Sequence, residues 1–131
     1  MRKTVLTLLL AAASSSAMAK WVMVGKAENI TVYVDPASIH ISGGIAIMQD
    51  IDDQKTAEIA DDGKLYMSTK AQDEFDCKEG QHRTRSLSCY SENMGKGDVV
   101  CAYSDPNHAT WNQVIPKSIN EAMWKFACGN H

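Results

Sequence analysis

The stretch that decides the fold is LSCYSENMGKGDVVCAY, residues 87–103. Strand side chains alternate between two faces. The residues predicted to share a face are Leu87 with Cys89, and Val99 with Cys101 and Tyr103. Between these segments, residues 92–97 (ENMGKG) are typical of a turn, because their two glycines adopt positive φ without steric cost. The stretch therefore predicts an antiparallel β-hairpin with Cys89 across from Cys101.

The four cysteines of the chain are predicted to form disulfides. They are Cys77, Cys89, Cys101 and Cys128. Their spacing contains neither the C-x2–4-C pair typical of structural zinc nor the C-x-x-C pair of a redox site. Four cysteines allow three pairings. The hairpin favours Cys89 with Cys101, which leaves Cys77 with Cys128 as a tie between the sheet and the C-terminal segment.

Residues 1–19 have the pattern of a cleaved export signal. Arg2 and Lys3 precede an apolar run, and Ala17-Met18-Ala19 is a small-x-small cleavage sequence. We therefore expect one mature domain, residues 20–131, in the periplasm of a Gram-negative bacterium or secreted from it, where disulfides persist. No later segment is apolar enough to span a membrane, so we expect no membrane span. The residue directly after the cleavage sequence is Lys20 and not a cysteine, so we expect no lipid anchor.

The predicted mature domain is acidic. It has 11 lysines and arginines against 16 aspartates and glutamates, a net charge of −5. Nucleic-acid binding normally needs a concentrated basic face, so this class of function is not expected. The charge is better interpreted as a contribution to solubility.

The remaining pattern predicts an α+β fold. The expected strands are residues 21–25, 30–34, 39–50 with a break at two glycines, 65–75, 83–90 and 99–103. Residues 52–63 are polar and are expected to form a loop. Consecutive strands joined by short turns indicate a single antiparallel sheet of about six strands.

The C-terminal segment is predicted to be an α-helix. Ser118 and Glu121 form a capping box at its start, and Gly129 fits the position after its end. Apolar residues recur along one helical face: Ile119, Ala122, Met123, Phe126 and Ala127. Cys128 lies off this face, so it reaches the sheet only if the last turn is tilted or frayed. We place Trp21 and Trp124 in the core.

A search for catalytic, cofactor and metal sites identifies none. No two histidines have the spacing of a local metal pair. Ser104, Asp105 and His108 are too close in sequence to form a triad, whose serine and acid must flank the imidazole. Asp50, Asp52 and Asp61 match three positions of a calcium loop, but Lys55 stands where that loop requires glycine. We interpret these acids as a solvated loop, and we expect no enzyme and no cofactor.

Three residues are candidates for contact with a partner. Arg83 and Arg85 alternate along a predicted strand and form part of the only basic cluster in the sequence. Trp111 lies in a loop-like segment, where an aromatic side chain is less certain to be buried. The bland alternative for the arginines is a solvated strand edge.

The order of several segments resembles the bacterial surface-adhesin protein E family. These segments are WVMVG (21–25), VYVDPASI (32–39), YMSTKAQDEFDC (66–77), SCYSENMGKGDVV (88–100) and WNQVIPKSINEAMWKFAC (111–128). The resemblance covers nearly the whole predicted mature chain. It implies a six-stranded antiparallel sheet with the C-terminal helix on its concave face, and a disulfide from Cys77 to Cys128.

The resemblance also implies a function. The family is named for adhesins that bind host extracellular proteins, so we expect a non-enzymatic binding domain with a host extracellular or envelope protein as its partner. The alternative is a periplasmic inhibitor or accessory protein that docks on an envelope enzyme. No binding residue is carried over, because no adhesion motif matches position by position.

Overall fold

A computed structural model describes residues 20–105, 107 and 109–129. The predicted export signal, residues 1–19, lies outside the described residues, as does His108. The strands are β1 (Val22–Lys26), β2 (Ile30–Val34), β3 (His40–Ser42), β4 (Ile45–Ile59), β5 (Leu65–Asp76), β6 (Gln81–Tyr90), β7 (Val99–Ser104) and β8 (Asn112–Gln113). One helix, α1 (Ile119–Ala127), follows them.

The strands form one antiparallel sheet. Six of them make a continuous path in the order β1-β2-β4-β5-β6-β7. Two short strands join its margins: β3 pairs with β4, and β8 pairs with β6. The predicted fold class is therefore confirmed. β3 corresponds to the part of the predicted strand 39–50 that precedes its glycine break, whereas β8 was not recognised because two residues carry no measurable alternation.

The helix packs on one face of this sheet, which we call the inner face. Its side chains include Val32, Val34, Ala46, Met48 and Phe75, which form the core with Met123 and Ala127 of α1. The opposite side of the sheet is the outer face. Ser118 caps the helix, since its hydroxyl accepts a hydrogen bond from the backbone N–H of Glu121.

A disulfide between Cys77 and Cys128 ties the end of the helix to the end of β5. The α-helix ends at Ala127, and Cys128 is its C-cap, with φ −85° and ψ 2°. Cys128 has therefore left the helical path that seemed to direct its side chain away from the sheet. The helix face predicted from the apolar pattern and the tie are compatible for this reason.

The hairpin of β6 and β7 pairs Cys89 with Cys101, and a disulfide joins them. This is the pairing that the sequence pattern favoured. The register shifts between Cys89 and Tyr90, so that Tyr90 pairs with Val99 and Val100 is the extra residue of a bulge. Val99 therefore does not share the face of Cys101, because a bulge reverses the alternation that the prediction assumed.

The predicted loop at residues 52–63 is wrong for residues 52–59, because β4 continues to Ile59, and only residues 60–63 form a turn. Residues 52–54 still pair with β2, and Glu58 and Ile59 pair with the first residues of β5. The C-terminal end of β4 is exposed from Lys55 onward, so neither of its faces needs apolar side chains. A solvent-exposed two-stranded extension has no hydrophobic alternation for sequence analysis to detect.

The two tryptophans assigned to the core behave differently. Trp124 packs against the core, and its indole N–H donates a hydrogen bond of 2.9 Å to the carbonyl oxygen of Asp76. Trp21 is only half-buried and lies just before β1, outside the core cluster. An edge position explains the difference, because β1 has a neighbour on one side only.

Candidate binding surfaces

An ordered cluster of charged and aromatic residues lies on the outer face. Glu74 of β5 accepts a hydrogen bond of 2.6 Å from Nε of Arg83. Arg85 lies close to the same carboxylate, with Nη1 3.8 Å from Oε2. The guanidinium of Arg83 also stacks over the ring of Trp111, 4.2 Å from its centroid, and donates a hydrogen bond to the backbone carbonyl of Ala109. We call these four side chains, of Glu74, Arg83, Arg85 and Trp111, the outer cluster.

The β5–β6 register explains why these residues meet. Glu74 pairs directly with Arg83, which places both side chains on the outer face. Gln72 pairs with Ser86 while Asp73 pairs with Thr84, so Arg85 is the extra residue of a bulge. The bulge turns a second guanidinium toward Glu74.

The structure thus brings together the three residues predicted as partner contacts. Arg83 and Arg85 are not a freely solvated strand edge, since their side chains are 21% and 29% exposed. Trp111 is half-buried. Glu74, whose side chain is 10% exposed, was missed, although alternation with Arg83 across a hairpin would have pointed to it.

Polar side chains occupy the middle of the outer face, although Ile51 of β4 is fully buried on this face. Lys70 lies over the ring of Tyr90, 5.6 Å from its centroid. Next to this pair is a shallow groove of about 190 Å³, and its polar lining residues are Gln49, Lys70, Gln72, Ser86, Ser88 and Tyr90. The outer cluster and this groove are therefore hydrophilic areas of the outer face, each with an aromatic side chain, Trp111 and Tyr90 respectively.

The inner face holds a cleft beside the start of α1. Its volume is about 360 Å³. Its lining residues are Ala27, Ile30, Val32, Asp52, Asp73, His82, Thr84, Ile119, Asn120 and Met123. The nine-residue helix covers only part of the inner face, which leaves this cleft open.

Three carboxyl groups lie together at this cleft. Asp50 and Asp73 are buried, with 4% and 8% exposure, and Asp52 is half-buried. Burial raises the pKa of Asp50 well above its ordinary value, and a hydrogen bond to Asp73 and the negative charges of Asp73 and Asp52 add to the effect. Burial, with the charge of Asp73, raises the pKa of Asp52 to about 6. Asp52 is therefore mainly ionised at neutral pH, while burial and the neighbouring acids favour the protonated form of Asp50.

The assignment of Asp50 and Asp52 to a solvated loop is wrong, whereas Asp61 does lie in an exposed turn. Asp50 and Asp52 continue the inward series of β4 that begins with Ala46 and Met48. A period of two from Ala46 to Asp52 was the available signal. It was overlooked because aspartate is rarely buried.

The other candidate residues do not form a metal-binding or catalytic arrangement among the described residues. Within the described part of the chain, no group of three or more His, Cys, Asp or Glu side chains is arranged to hold a metal ion. Ser104 ends β7 and Asp105 follows it, while His108 lies outside the described residues. No described helix is long and apolar enough to cross a membrane.

Comparisons with known proteins agree with this architecture. Residues 21–129 match the model of the family described as surface-adhesin protein E. A structure of Haemophilus influenzae protein E in crystal form II superposes with a TM-score of 0.65 at 14% identity, covering 88% of this chain and 92% of that chain. A second structure of Haemophilus influenzae protein E has a TM-score of 0.63 at 14% identity and covers 88% and 89%.

A third structure, of protein E from non-typeable Haemophilus influenzae, has a TM-score of 0.62 at 14% identity and covers 88% of this chain and 80% of that chain. A comparison with curated proteins finds no significant match. At 14% identity the structures show a shared fold. The match of the family model over residues 21–129 shows more: the chain belongs to the surface-adhesin protein E family.

Proposed function

We propose that the chain is an exported, non-enzymatic binding domain that holds an extracellular or envelope protein at the outer cluster. The observation that carries the proposal is the ordered stack of Arg83 on Trp111, held in place by Glu74 and Ala109. Tryptophan and arginine are the residue types that most often dominate binding energy at protein interfaces.

The internal contacts of the outer cluster favour binding. A long arginine side chain normally loses rotamer freedom when a partner immobilises it, at a cost of about 1 kcal/mol. Arg83 is already fixed by a hydrogen bond to Glu74 and another to Ala109. The surface is therefore organised before a partner arrives.

The charge of the outer cluster indicates the kind of partner. Two guanidinium groups face one carboxylate, and Lys70 adds a further positive charge on the same face. The chain as a whole has an excess of acidic residues. An acidic patch on the partner would be attracted to this face and repelled by most of the remaining surface.

The proposal includes export of residues 20–131 after removal of residues 1–19. Two disulfides support it, because disulfides form and persist in oxidising compartments such as the periplasm. Cell fractionation, followed by N-terminal sequencing of the protein, tests this part. A protein that begins at Met1 in the cytoplasm would contradict it.

Binding is tested by titrating the mature domain against a panel of extracellular matrix proteins and against an envelope extract. Trp111→Ala is expected to weaken the interaction about 30-fold, the loss typical of a hot-spot residue. Tyr103→Ala is the matched control, since Tyr103 is a 50% exposed aromatic residue on the inner face.

Equal affinity of the two variants would contradict the proposed surface. Absence of binding to every matrix protein and every envelope protein would contradict the function. Capture of an envelope enzyme, with inhibition or activation of that enzyme, would assign the chain to the accessory role instead of adhesion.

A further inference from the structure

The inner cleft combines apolar walls with an acidic floor. Ile30 and Val32 of β2 face Ile119 and Met123 of α1 across it, and the floor carries the carboxylates of Asp52 and Asp73. A cleft of about 360 Å³ with this lining accommodates a small amphipathic group. Such a group must be apolar along its length and positively charged at one end.

Among the described residues, the carboxylates of the cleft have no lysine or arginine as an ion-pair partner. Every ion pair found among residues 20–105, 107 and 109–129 lies elsewhere, on Asp62, Glu74 or Glu121. Asp73 accepts a hydrogen bond of 2.7 Å from the hydroxyl of Thr84. The carboxylate of Asp52 receives none from any described residue. Burying an ionised carboxylate without a cation is costly, so the arrangement is explained by a ligand more readily than by stability.

Two further acceptors beside the floor lack donors. Asp50 lies next to Asp52 on the inner face and is 4% exposed; apart from its hydrogen bond with Asp73, no described N–H or O–H group donates to its Oδ2. Gln54, two residues beyond Asp52 on the same face and 5% exposed, has an unpartnered Oε1. Acceptors thus outnumber donors on this part of the inner face. The missing species is a donor with several N–H or O–H groups.

The start of α1 borders the cleft but does not supply these donors. The backbone N–H of Glu121 is already bound by the hydroxyl of Ser118. His82 and Asn120 also line the cleft, and neither makes a side-chain hydrogen bond to the acids. A divalent metal ion is a poor fit, because no described group of three or more ligating side chains is arranged around one point.

We infer that the inner cleft binds a primary alkylammonium group, with its charge between Asp52 and Asp73 and its alkyl chain along Ile30, Val32 and Met123. An ammonium group has three N–H donors and no acceptor, which complements an acceptor-rich floor. A stem of methylene groups suits the apolar walls. This site lies on the opposite face from the outer cluster, so it extends beyond the proposed function.

The probe for this site is Nα-acetyl-lysine-N-methylamide, added to the isotope-labelled mature domain at pH 7.5 and followed by NMR. Saturable shifts are expected at the backbone amides of Asp52, Thr84 and Asn120. The norleucine analogue lacks only the ammonium end of the side chain and serves as the matched ligand. Equal binding of this analogue would overturn the inference.

Asp52→Asn is expected to weaken binding of the lysine probe by about tenfold or more, as for loss of a hydrogen bond between charged groups. Asp61→Asn removes the same charge from an exposed turn and is expected to leave binding unchanged. The Asp52 variant retains the fold because it removes a half-buried charge, and circular dichroism checks this. An unchanged affinity of the Asp52 variant would overturn the inference.

A second titration with 1,4-diaminobutane separates two sources of the same chemistry. Tighter binding of the diamine assigns the cleft to free amines, and tighter binding of the lysine probe assigns it to a lysine side chain of a protein. Each probe is added at up to 50-fold molar excess over the protein, at protein concentrations that span a tenfold range. Absence of saturable shifts with both probes under these conditions would overturn the inference. Because no partner protein is used, the result is independent of the outer cluster.

Discussion

The two faces of the sheet handle buried charge in opposite ways. On the outer face, Glu74 contacts two guanidinium groups, so its charge is compensated within the chain. On the inner face, the polar partners of Asp73 are the carboxyl group of Asp50 and the hydroxyl of Thr84. Asp73 and Glu74 are consecutive residues of β5. Strand alternation alone therefore decides which acid meets arginine and which meets another acid.

The comparison shows where stability and where binding capacity reside. A compensated charge costs little as long as both partners remain, whereas an uncompensated carboxylate lowers stability whenever it is ionised. Removal of the buried carboxylate is therefore expected to lower stability on the outer face and to raise it on the inner face. Two substitutions test this contrast, and they follow a larger effect, that of the disulfide that ties the helix to the inner face.

Removal of the tie is expected to have the largest effect. Replacing Cys77 and Cys128 by Ala opens a loop with a sequence separation of 51 residues and should lower the free energy of unfolding by about 4 kcal/mol. Urea denaturation of the oxidised protein measures this. The helix is released from the inner face, so the NMR signals of Met123 should change more than those of Trp111.

The hairpin disulfide provides the matched control. Replacing Cys89 and Cys101 by Ala removes a tie with a separation of 12 residues and should cost about 3 kcal/mol, because a shorter loop constrains the unfolded chain less. A larger loss from the hairpin variant than from the helix variant would contradict the loop-length argument.

Glu74→Ala is expected to have the next largest effect. It leaves the guanidinium groups of Arg83 and Arg85 half-buried without an anion, which should cost about 2 kcal/mol. Glu79→Ala is the control, since Glu79 is exposed and its side chain makes no contact with either arginine. Equal stabilities of the two variants by chemical denaturation would show that the outer cluster does not depend on charge compensation.

Asp52→Asn is expected to have the smallest effect and the opposite sign. The pKa of Asp52 is about 6 in the folded chain against an ordinary 3.8, so the folded state binds more protons than the unfolded state between these values. Stability therefore falls as pH rises through this window, and the ionised group costs about 1 kcal/mol at pH 7, allowing for its partial exposure. The asparagine variant should be more stable at pH 7.

The pH dependence gives a second measurement of the same effect. The melting temperature of the wild type should rise when the pH is lowered from 7 to about 5, and Asp52→Asn should reduce that rise. Asp50, whose pKa is also raised by burial, contributes in the same direction. A wild-type protein that melts at a lower temperature at pH 5 than at pH 7 would refute the description of the inner face.

Most of the fold could be predicted from sequence because its signals are local. The hairpin, the capping box at Ser118 and the apolar face of α1 each depend on residues that are close together in the sequence. The extension of β4 to Ile59 could not be predicted, because its stability comes from pairing with β5 and not from its own pattern. The bulge at Arg85 is also a property of two strands together.

The candidate surfaces were predicted only in part for the same reason. Arg83 and Trp111 were selected by residue type, and their stacking depends on where the segment after β7 returns to the sheet. Asp50 and Asp52 were assigned to a solvated loop because the polar composition of their segment was given more weight than its strand alternation. Asp73 was not selected at all, since a single acid in a strand does not indicate a site until the sheet brings Asp50 beside it.

The near-sequential strand order also shapes how the chain folds. Along the main path, strands that are close in sequence pair with each other, so these six strands require no contact with α1 to assemble. Burial is the main cause of the raised pKa of Asp50, so the covering of the inner face is the stage of folding that favours its protonated form. We expect this last step to slow with rising pH, while assembly of the sheet does not.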